Sequence, residues 1–124
     1  MIVTEILSGL GNQLFQYAVA KQLALIKNVP LKLDISFFEN QTLRGYKLNH
    51  YNIQAEIATS KEVNDYLYIY NSSSFPSKIL RKIDLRLPRT KRKFFKEEKP
   101  WRYEADLYEV SSNIYIQGYW QHYK

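Results

Sequence analysis

The fold is decided by residues 2–27, which read IVTEILSGLGNQLFQYAVAKQLALIK. Residues 2–7 are apolar and rich in β-branched side chains, which predicts a short buried strand. Glu5 interrupts the apolar run, so we expect one face of this strand to reach solvent or a cleft. A loop with two glycines follows, and a mostly apolar segment from about Gln13 to Lys27 predicts a helix that is buried around most of its girth. A strand followed by a Gly-x-Gly turn and a helix is an arrangement that presents backbone N–H groups to an anion.

The loop itself supplies the first candidate site. Gly9 and Gly11 are able to adopt positive φ and to let the backbone approach a ligand closely. Asn12 is a natural N-cap for the helix, so its side chain serves either as a cap or as a ligand donor. We expect the amides of Gly11, Asn12 and Gln13 to be among the first-turn donors that have no partner within the helix.

The next segment turns this unit into a β-α-β motif. Residues 31–35 alternate between apolar and polar, which predicts a second strand parallel to the first, with a right-handed crossover. Asp34 then lies at the carboxyl end of that strand, the edge that lines the ligand crevice in open α/β sheets. The sequence thus predicts a single α/β domain over residues 1–124, with a Rossmann-like open parallel sheet and flanking helices. The remaining predicted elements are a helix capped at Thr59 or Ser60 and ending near Ile69, an amphipathic helix over residues 77–87, a short strand from Phe94, a helical turn over residues 104–109 and a strand over residues 113–120.

Composition excludes several classes of protein. The chain has no cysteine and only two histidines, which lie far apart, so we expect neither a disulfide framework nor a metal site. It shows no signal peptide and no run of 18 apolar residues, and a cytoplasmic location is therefore expected. The net charge of +6 is unevenly placed, because residues 78–102 hold eleven Lys or Arg and three Asp or Glu. This basic segment predicts an anionic partner, such as the inner face of a membrane to which the protein attaches peripherally.

Four pieces of the chain, taken in order, resemble one family. Residues 8–18 read SGLGNQLFQYA, which looks like the N-terminal signature of the alpha-1,2-fucosyltransferases, glycosyltransferase family 11, where Gly-Gly-Leu-Gly-Asn-Gln-Met/Leu-Phe-Gln-Tyr-Ala is usual. Ser8 stands where the family often has glycine. The other three pieces are LDISFF at residues 33–38, RGYKL at residues 44–48 running into YNI at residues 51–53, and YIQGYWQ at residues 115–121.

This resemblance implies the N-terminal, acceptor-side half of a two-domain GT-B-like transferase. In the family, L-fucose passes from GDP-fucose to the 2-hydroxyl of a terminal galactose, with inversion and without an essential metal or other cofactor. The donor-binding domain of the family carries a His-x-Arg-Arg-x-Asp motif, which this chain lacks, so we expect that domain to be absent here and the chain alone to be inactive. The implied partners are GDP-fucose, a galactose-terminated glycan and the C-terminal domain. No nucleic-acid partner is expected.

The resemblance also ranks the candidate residues. Asn12 is expected to stabilise the departing pyrophosphate, with Gly9, Gly11 and Gln13 as further donor-binding residues. Asp34 serves either as an acceptor-binding or catalytic carboxylate, or as a strand-end residue that satisfies nearby backbone. Arg44 either binds a phosphate or forms a salt bridge with Asp34.

Two other functions stay open on the sequence. A dinucleotide-binding oxidoreductase would use the Gly9-x-Gly11 turn and Asp34 as the ribose-binding acid, but Leu14 occupies the third glycine position of that fingerprint. A nucleic-acid-binding module would use residues 78–102, which show no known reader motif. NADH titration tests the first, and the salt dependence of DNA affinity tests the second.

Overall fold

The computed structural model describes residues 1–40, 46, 48, 51, 53, 55–97 and 105–120. Within these residues one sheet of five strands runs in the order β3-β2-β1-β5-β4, and all its strand pairs are parallel. The strands are β1 (Ile2–Glu5), β2 (Leu31–Asp34), β3 (Glu56–Ile57), β4 (Phe94–Lys96) and β5 (Ile114–Gln117). The predicted α/β class with an open parallel sheet is confirmed, and so is the parallel pairing of β1 with β2.

Three α-helices accompany the sheet in the part of the chain that the structure describes, namely α1 (Leu10–Lys27), α2 (Ser60–Asn71) and α3 (Phe75–Arg86). Thr59 caps α2 through a reciprocal capping box with Glu62, as the sequence predicts. No helix in the described ranges is long and apolar enough to cross a bilayer.

Helix α1 begins earlier than the sequence predicts. Ser8 adopts a left-handed φ of 72°, so the chain turns there and Gly9 becomes the N-cap. The prediction that Asn12 caps the helix is therefore wrong, because Asn12 lies within the first turn. Gly9 and Gly11 are able to adopt positive φ, but neither does so here.

Burial of α1 also differs from the prediction. One face packs on the sheet through Val19, Ala20, Leu23 and Ala24, together with two glutamines. The opposite face is apolar yet exposed, and it includes Leu10, Leu14, Phe15, Leu25 and Ile26. The helix is thus buried on one side only. An apolar composition around a helix does not by itself say which side the sheet will cover.

Strand register separates the two faces of the sheet. Side chains alternate along each strand, so Ile2 and Ile114 face α1, whereas Val3 and Tyr115 form a second small core with Tyr66 of α2. The α2 side is the face on which polar residues collect at the carboxyl end of the strands.

Candidate active site

Four polar side chains form a row across the carboxyl edge of the sheet. Asp34, Glu5, Gln117 and Lys96 are the last residues of β2, β1, β5 and β4, which are adjacent strands. The register pairs Glu5 with Asp34 and Lys96 with Gln117. Since paired residues of neighbouring strands project to the same face, the row lies on the α2 side. We call it the polar row.

Hydrogen bonds connect the polar row to a tyrosine one layer deeper. Gln117 Nε2 donates to Glu5 Oε2 over 2.8 Å, which links β5 to β1. The buried Tyr115 hydroxyl donates to Asp34 Oδ2 over 2.5 Å and lies 3.3 Å from Glu5 Oε2. The other Asp34 oxygen accepts the Ser36 amide over 3.0 Å. Two carboxylates thus share one phenol, and the hydroxyl proton goes to the closer one.

The surroundings of Glu5 disfavour its charged form. Burial raises the pKa of Glu5 above its ordinary value of 4.5, while the hydrogen bond from Gln117 lowers it and the negative charge of Asp34 raises it further. Burial, followed by the hydrogen bond to Asp34, also raises the pKa of the Tyr115 phenol, so that phenol stays protonated. A carboxylate whose pKa is raised toward neutrality is better suited to accept a proton than an ordinary one.

The polar row occupies the topological switch point of the sheet. On one side of β1 the strands follow the chain outward, as β2 and then β3. On the other side of β1 lie β5 and, at the edge, β4. Ligands of open α/β sheets bind in the crevice at the carboxyl ends of the strands where this direction reverses. The bond between Glu5 and Gln117 spans that position.

A cleft of about 360 Å³ adjoins the polar row at Asp34. Its polar lining comes from Asp34, Ser36, Glu39, Ser60 and Asn64, which bring together the end of β2 and the first turn of α2. None of the described residues that line it is a lysine or arginine. Carboxylate, hydroxyl and amide groups suit a neutral polyhydroxylated ligand better than an anion.

The loop that opens α1 is braced by its own amide side chains. Asn12 Nδ2 donates to Ser8 Oγ over 3.1 Å, and the buried Gln13 Nε2 donates to the Ser8 carbonyl over 3.0 Å. Gln16 Oε1 accepts the Leu7 amide over 2.9 Å. These bonds hold Ser8 in its left-handed conformation, a backbone region that is costly for a residue other than glycine.

The predicted loop residues have different environments. A Cβ built on Gly9 or Gly11 meets no atom within 4 Å, so space beside the loop is open. The Gln13 amide donates to the Gly9 carbonyl over 3.0 Å, which corrects the expectation that it lacks a helical partner. Gly9 has no side chain that could cap the helix. Because the helix begins at Leu10, the Leu10 amide, and not the Gln13 amide, is among the first-turn donors that have no partner within the helix.

Asp34 lies in the polar row, as expected from its place at the strand end, and its acceptor-binding or catalytic role stays a prediction. It lines the cleft and it also satisfies the Ser36 backbone amide. Arg44 lies outside the described residues, so its predicted phosphate contact and its salt bridge to Asp34 stay predictions. Asn12 lies at the same carboxyl edge as Asp34, because α1 starts where β1 ends.

The sequence reasoning missed Glu5, Tyr115 and Gln117 as site residues. Glu5 drew attention only as an interruption of an apolar strand. Its hydrogen-bond partners lie 110 and 112 positions away, and only the pairing of β5 with β1 brings them together. No group of three or more His, Cys, Asp or Glu in the described part of the chain is arranged to hold a metal ion.

The turn after β5 closes the edge beside the row. A Cβ on Gly118 would lie 2.7 Å from both Glu97 Cβ and the Trp120 ring, so only glycine fits there. The Glu97 carboxylate accepts the Tyr119 and Trp120 amides over 3.1 and 3.3 Å. Trp120 is fully buried and stacks on Phe95.

Comparison with known proteins finds a similarity to a glycosyltransferase. An alpha-1,2-colitosyltransferase of Escherichia coli is 28% identical to the chain over 124 residues. The match supports a relationship with a glycosyltransferase. The aligned region covers 98% of this chain and 39% of the relative, so the chain spans about two fifths of the relative's length. No protein-family profile and no solved structure matches the chain.

Proposed function

We propose that this chain is the N-terminal, acceptor-side part of a transferase that moves L-fucose from GDP-fucose to the 2-hydroxyl of a terminal galactose, with inversion, in glycan or surface polysaccharide synthesis. The observation that carries the proposal is the polar row at the switch point, where Gln117 holds Glu5 and the neighbouring Asp34 lines a polar cleft. The glycosyltransferase relative and the four resembling sequence pieces support the same class.

In the proposed reaction Glu5 is the general base. The galactose 2-hydroxyl oxygen attacks the anomeric carbon of fucose, its proton passes to the Glu5 carboxylate, and the bond from that carbon to the GDP oxygen breaks. The raised pKa of Glu5 supports this role, because a base whose pKa lies nearer to the working pH transfers protons more effectively. Asp34 and Tyr115 act as positioning residues, since their hydrogen bond fixes the phenol beside Glu5.

The leaving diphosphate is assigned to the loop that opens α1. The partial positive charge of a helix N-terminus favours an anion by about 0.3–1 kcal/mol at exposed sites. Asn12 adds a neutral donor there, and open space around Gly9 and Gly11 leaves room for a phosphate. Preorganised donors aimed at developing negative charge are usually a large contribution to such catalysis. The reaction as proposed uses no metal ion and no other cofactor.

The donor itself is proposed to be held largely by a C-terminal domain outside this chain. The first turns of α1 present exposed apolar side chains from Leu10, Leu14 and Phe15 next to the loop. Large exposed apolar side chains in one place are typical of an interaction surface. We assign this surface to the C-terminal domain.

The proposed location is cytoplasmic, with peripheral attachment at the inner face of the membrane.

Transfer assays test the proposal directly. The product of the complete reading frame is incubated with GDP-fucose or with nucleotide-activated colitose, and with a galactoside or its 2-deoxy analogue. We expect fucose transfer to the galactoside alone, and none by the 124-residue chain without the rest of the protein. Transfer of colitose in preference to fucose would correct the donor, whereas transfer to the 2-deoxy analogue would contradict the assigned acceptor position.

A further inference from the structure

Helix α3 buries polar residues and exposes its apolar side, which is the reverse of most surface helices. Its buried residues are Ser77 and Asp84, and both are polar. Asp84 accepts a hydrogen bond from the Tyr70 hydroxyl of α2, and Arg81 donates to the Tyr70 carbonyl over 3.5 Å. A surface helix normally buries its apolar stripe against the core. Here polar contacts attach the helix to α2.

The apolar side of α3 faces solvent. Phe75, Ile79 and Ile83 recur every four residues, which places them on one side, and they are 74%, 44% and 56% exposed. Leu80 and Leu87 extend the same surface and are exposed as well. We call this set the outer stripe. The sequence predicts that Ile79, Leu80, Ile83 and Leu87 share a side. In the structure this side is exposed, and Phe75 joins it.

A row of cations borders the outer stripe. Lys78, Lys82 and Arg86 also recur every four residues and are all exposed. Asp84 is the only acidic residue in α3, and it points inward. Exposed Lys91 and Lys93 continue the positive charge beyond the helix. The border is therefore cationic, with no carboxylate of α3 on the outer side.

We propose that α3 docks in the plane of an anionic phospholipid surface, with the outer stripe among the acyl chains and its cations against the headgroups. An apolar face bordered by Lys and Arg complements both parts of such a surface. Twelve residues make a helix of roughly 18 Å, too short to span a hydrocarbon core of about 30 Å. The helix thus lies on the membrane. This proposal is independent of the reaction assigned above.

Vesicle flotation of the 124-residue chain tests the proposal. We expect binding to vesicles that contain phosphatidylglycerol, weaker binding as salt rises, and little binding to pure phosphatidylcholine. Replacing Lys78, Lys82 and Arg86 by Gln should weaken binding on the order of 100-fold, because each Lys or Arg near an anionic surface adds a similar amount to the binding free energy. Replacing Phe75, Ile79 and Ile83 by Ser should weaken it at least about 10-fold.

A charge-matched variant separates docking by α3 from general attraction. Replacing Lys21, Lys27 and Lys61 by Gln changes the net charge equally but leaves α3 intact, and we expect it to retain most of the binding. Circular dichroism checks that every variant is folded. Equal partitioning onto neutral and anionic vesicles, or an equal loss in the charge-matched variant, would overturn the proposal. An absence of binding to either kind of vesicle would also overturn the proposal. The outer stripe would then be assigned to a protein partner.

Discussion

The loop that opens α1 and the polar row lie at the same edge of the sheet but offer opposite chemistry. Residues 7–20 contain no charged side chain, and the loop presents helix amides and the Asn12 carboxamide. The polar row presents two carboxylates, Glu5 and Asp34, beside a cleft with no lysine or arginine among its described lining residues. The loop offers backbone amides and a neutral carboxamide, whereas the row holds two carboxylate acceptors together with the Gln117 carboxamide and the Lys96 ammonium.

This difference suggests a division of the two substrates. A phosphate needs donors and tolerates no adjacent carboxylate, whereas a sugar hydroxyl needs an acceptor for its proton. The proposed reaction uses both at one edge, with the leaving group at the loop and the attacking hydroxyl at the row. Variants on the two sides should therefore fail in different ways.

The largest effect is expected from Glu5→Gln in the full-length enzyme. Removing a general base should lower kcat/KM for transfer about 10²- to 10⁴-fold. The acid limb of the pH–rate profile should vanish with it. Glu109→Gln, which changes an exposed carboxylate elsewhere, is the control and should keep full activity.

The same substitution should stabilise the fold. The folded-state pKa of Glu5 is raised, so ionising this carboxyl costs stability as the pH rises above its ordinary value of 4.5. Glu5→Gln should therefore raise the Tm at pH 7, and this gain should shrink as the pH falls below 4.5. Loss of activity with an unchanged or lower Tm at pH 7 would argue against the assigned environment of Glu5.

The next effect concerns the loop. Asn12→Ala removes the carboxamide that donates to Ser8 Oγ, and we expect a decrease in kcat of about 10²-fold, typical for the loss of one preorganised donor. The pH–rate profile should keep its shape, since Glu5 is intact. Gln22→Ala on the exposed side of the same helix is the control. Unchanged turnover in Asn12→Ala would remove the loop from the reaction.

Tyr115→Phe should have a smaller effect on activity and a measurable one on stability. The buried Asp34 carboxylate loses its phenol donor, which costs about 1–3 kcal/mol in the free energy of unfolding. The Tyr115 hydroxyl, 3.3 Å from Glu5 Oε2, also lowers the pKa of Glu5, so removing this hydroxyl should move the acid limb of the rate profile to higher pH. Tyr51→Phe, at an exposed tyrosine, is the control. An acid limb that stays in place would separate Tyr115 from Glu5.

The smallest effect is expected at Glu62, which lies on α2 and pairs with Lys32 over 2.5 Å. The hydrogen bond from Lys32, followed by that from the Thr59 backbone, lowers the pKa of Glu62 to about 2. Its contribution to stability is thus present above its ordinary value of 4.5 and is lost as the pH falls through 2. Glu62→Gln should slightly lower the Tm at pH 7, and this difference should disappear as the pH falls below 2. A rise in Tm at pH 7, the sign expected for Glu5→Gln, would contradict the pairing.

Local signals made part of the fold predictable. Thr59 with Glu62 marks the start of α2, and the alternation over residues 31–35 marks β2. The two-residue β3 was not predicted, because Glu56 and Ile57 are both exposed and leave no periodic pattern. The start of α1 was missed because Ser8, rather than a glycine, takes the left-handed turn.

The site was less predictable than the fold. Asp34 could be placed at the strand end because its position follows from one local β-α-β unit. Glu5 could not be assigned, since its partners Tyr115 and Gln117 come from a strand that is distant in sequence. A site made by long-range strand pairing becomes visible only when the strand order is known.

A titration of the Glu5 carboxyl tests most directly whether Glu5 accepts the proton of a sugar 2-hydroxyl. The 124-residue chain is labelled with ¹³C at the glutamate carboxyls, the Glu5 signal is assigned by its loss in Glu5→Gln, and its pKa is measured alone, with a galactoside and with the 2-deoxy analogue. We predict a pKa above 4.5 for the free chain and a further change with the galactoside only. An ordinary pKa with the same response to both sugars would contradict this role.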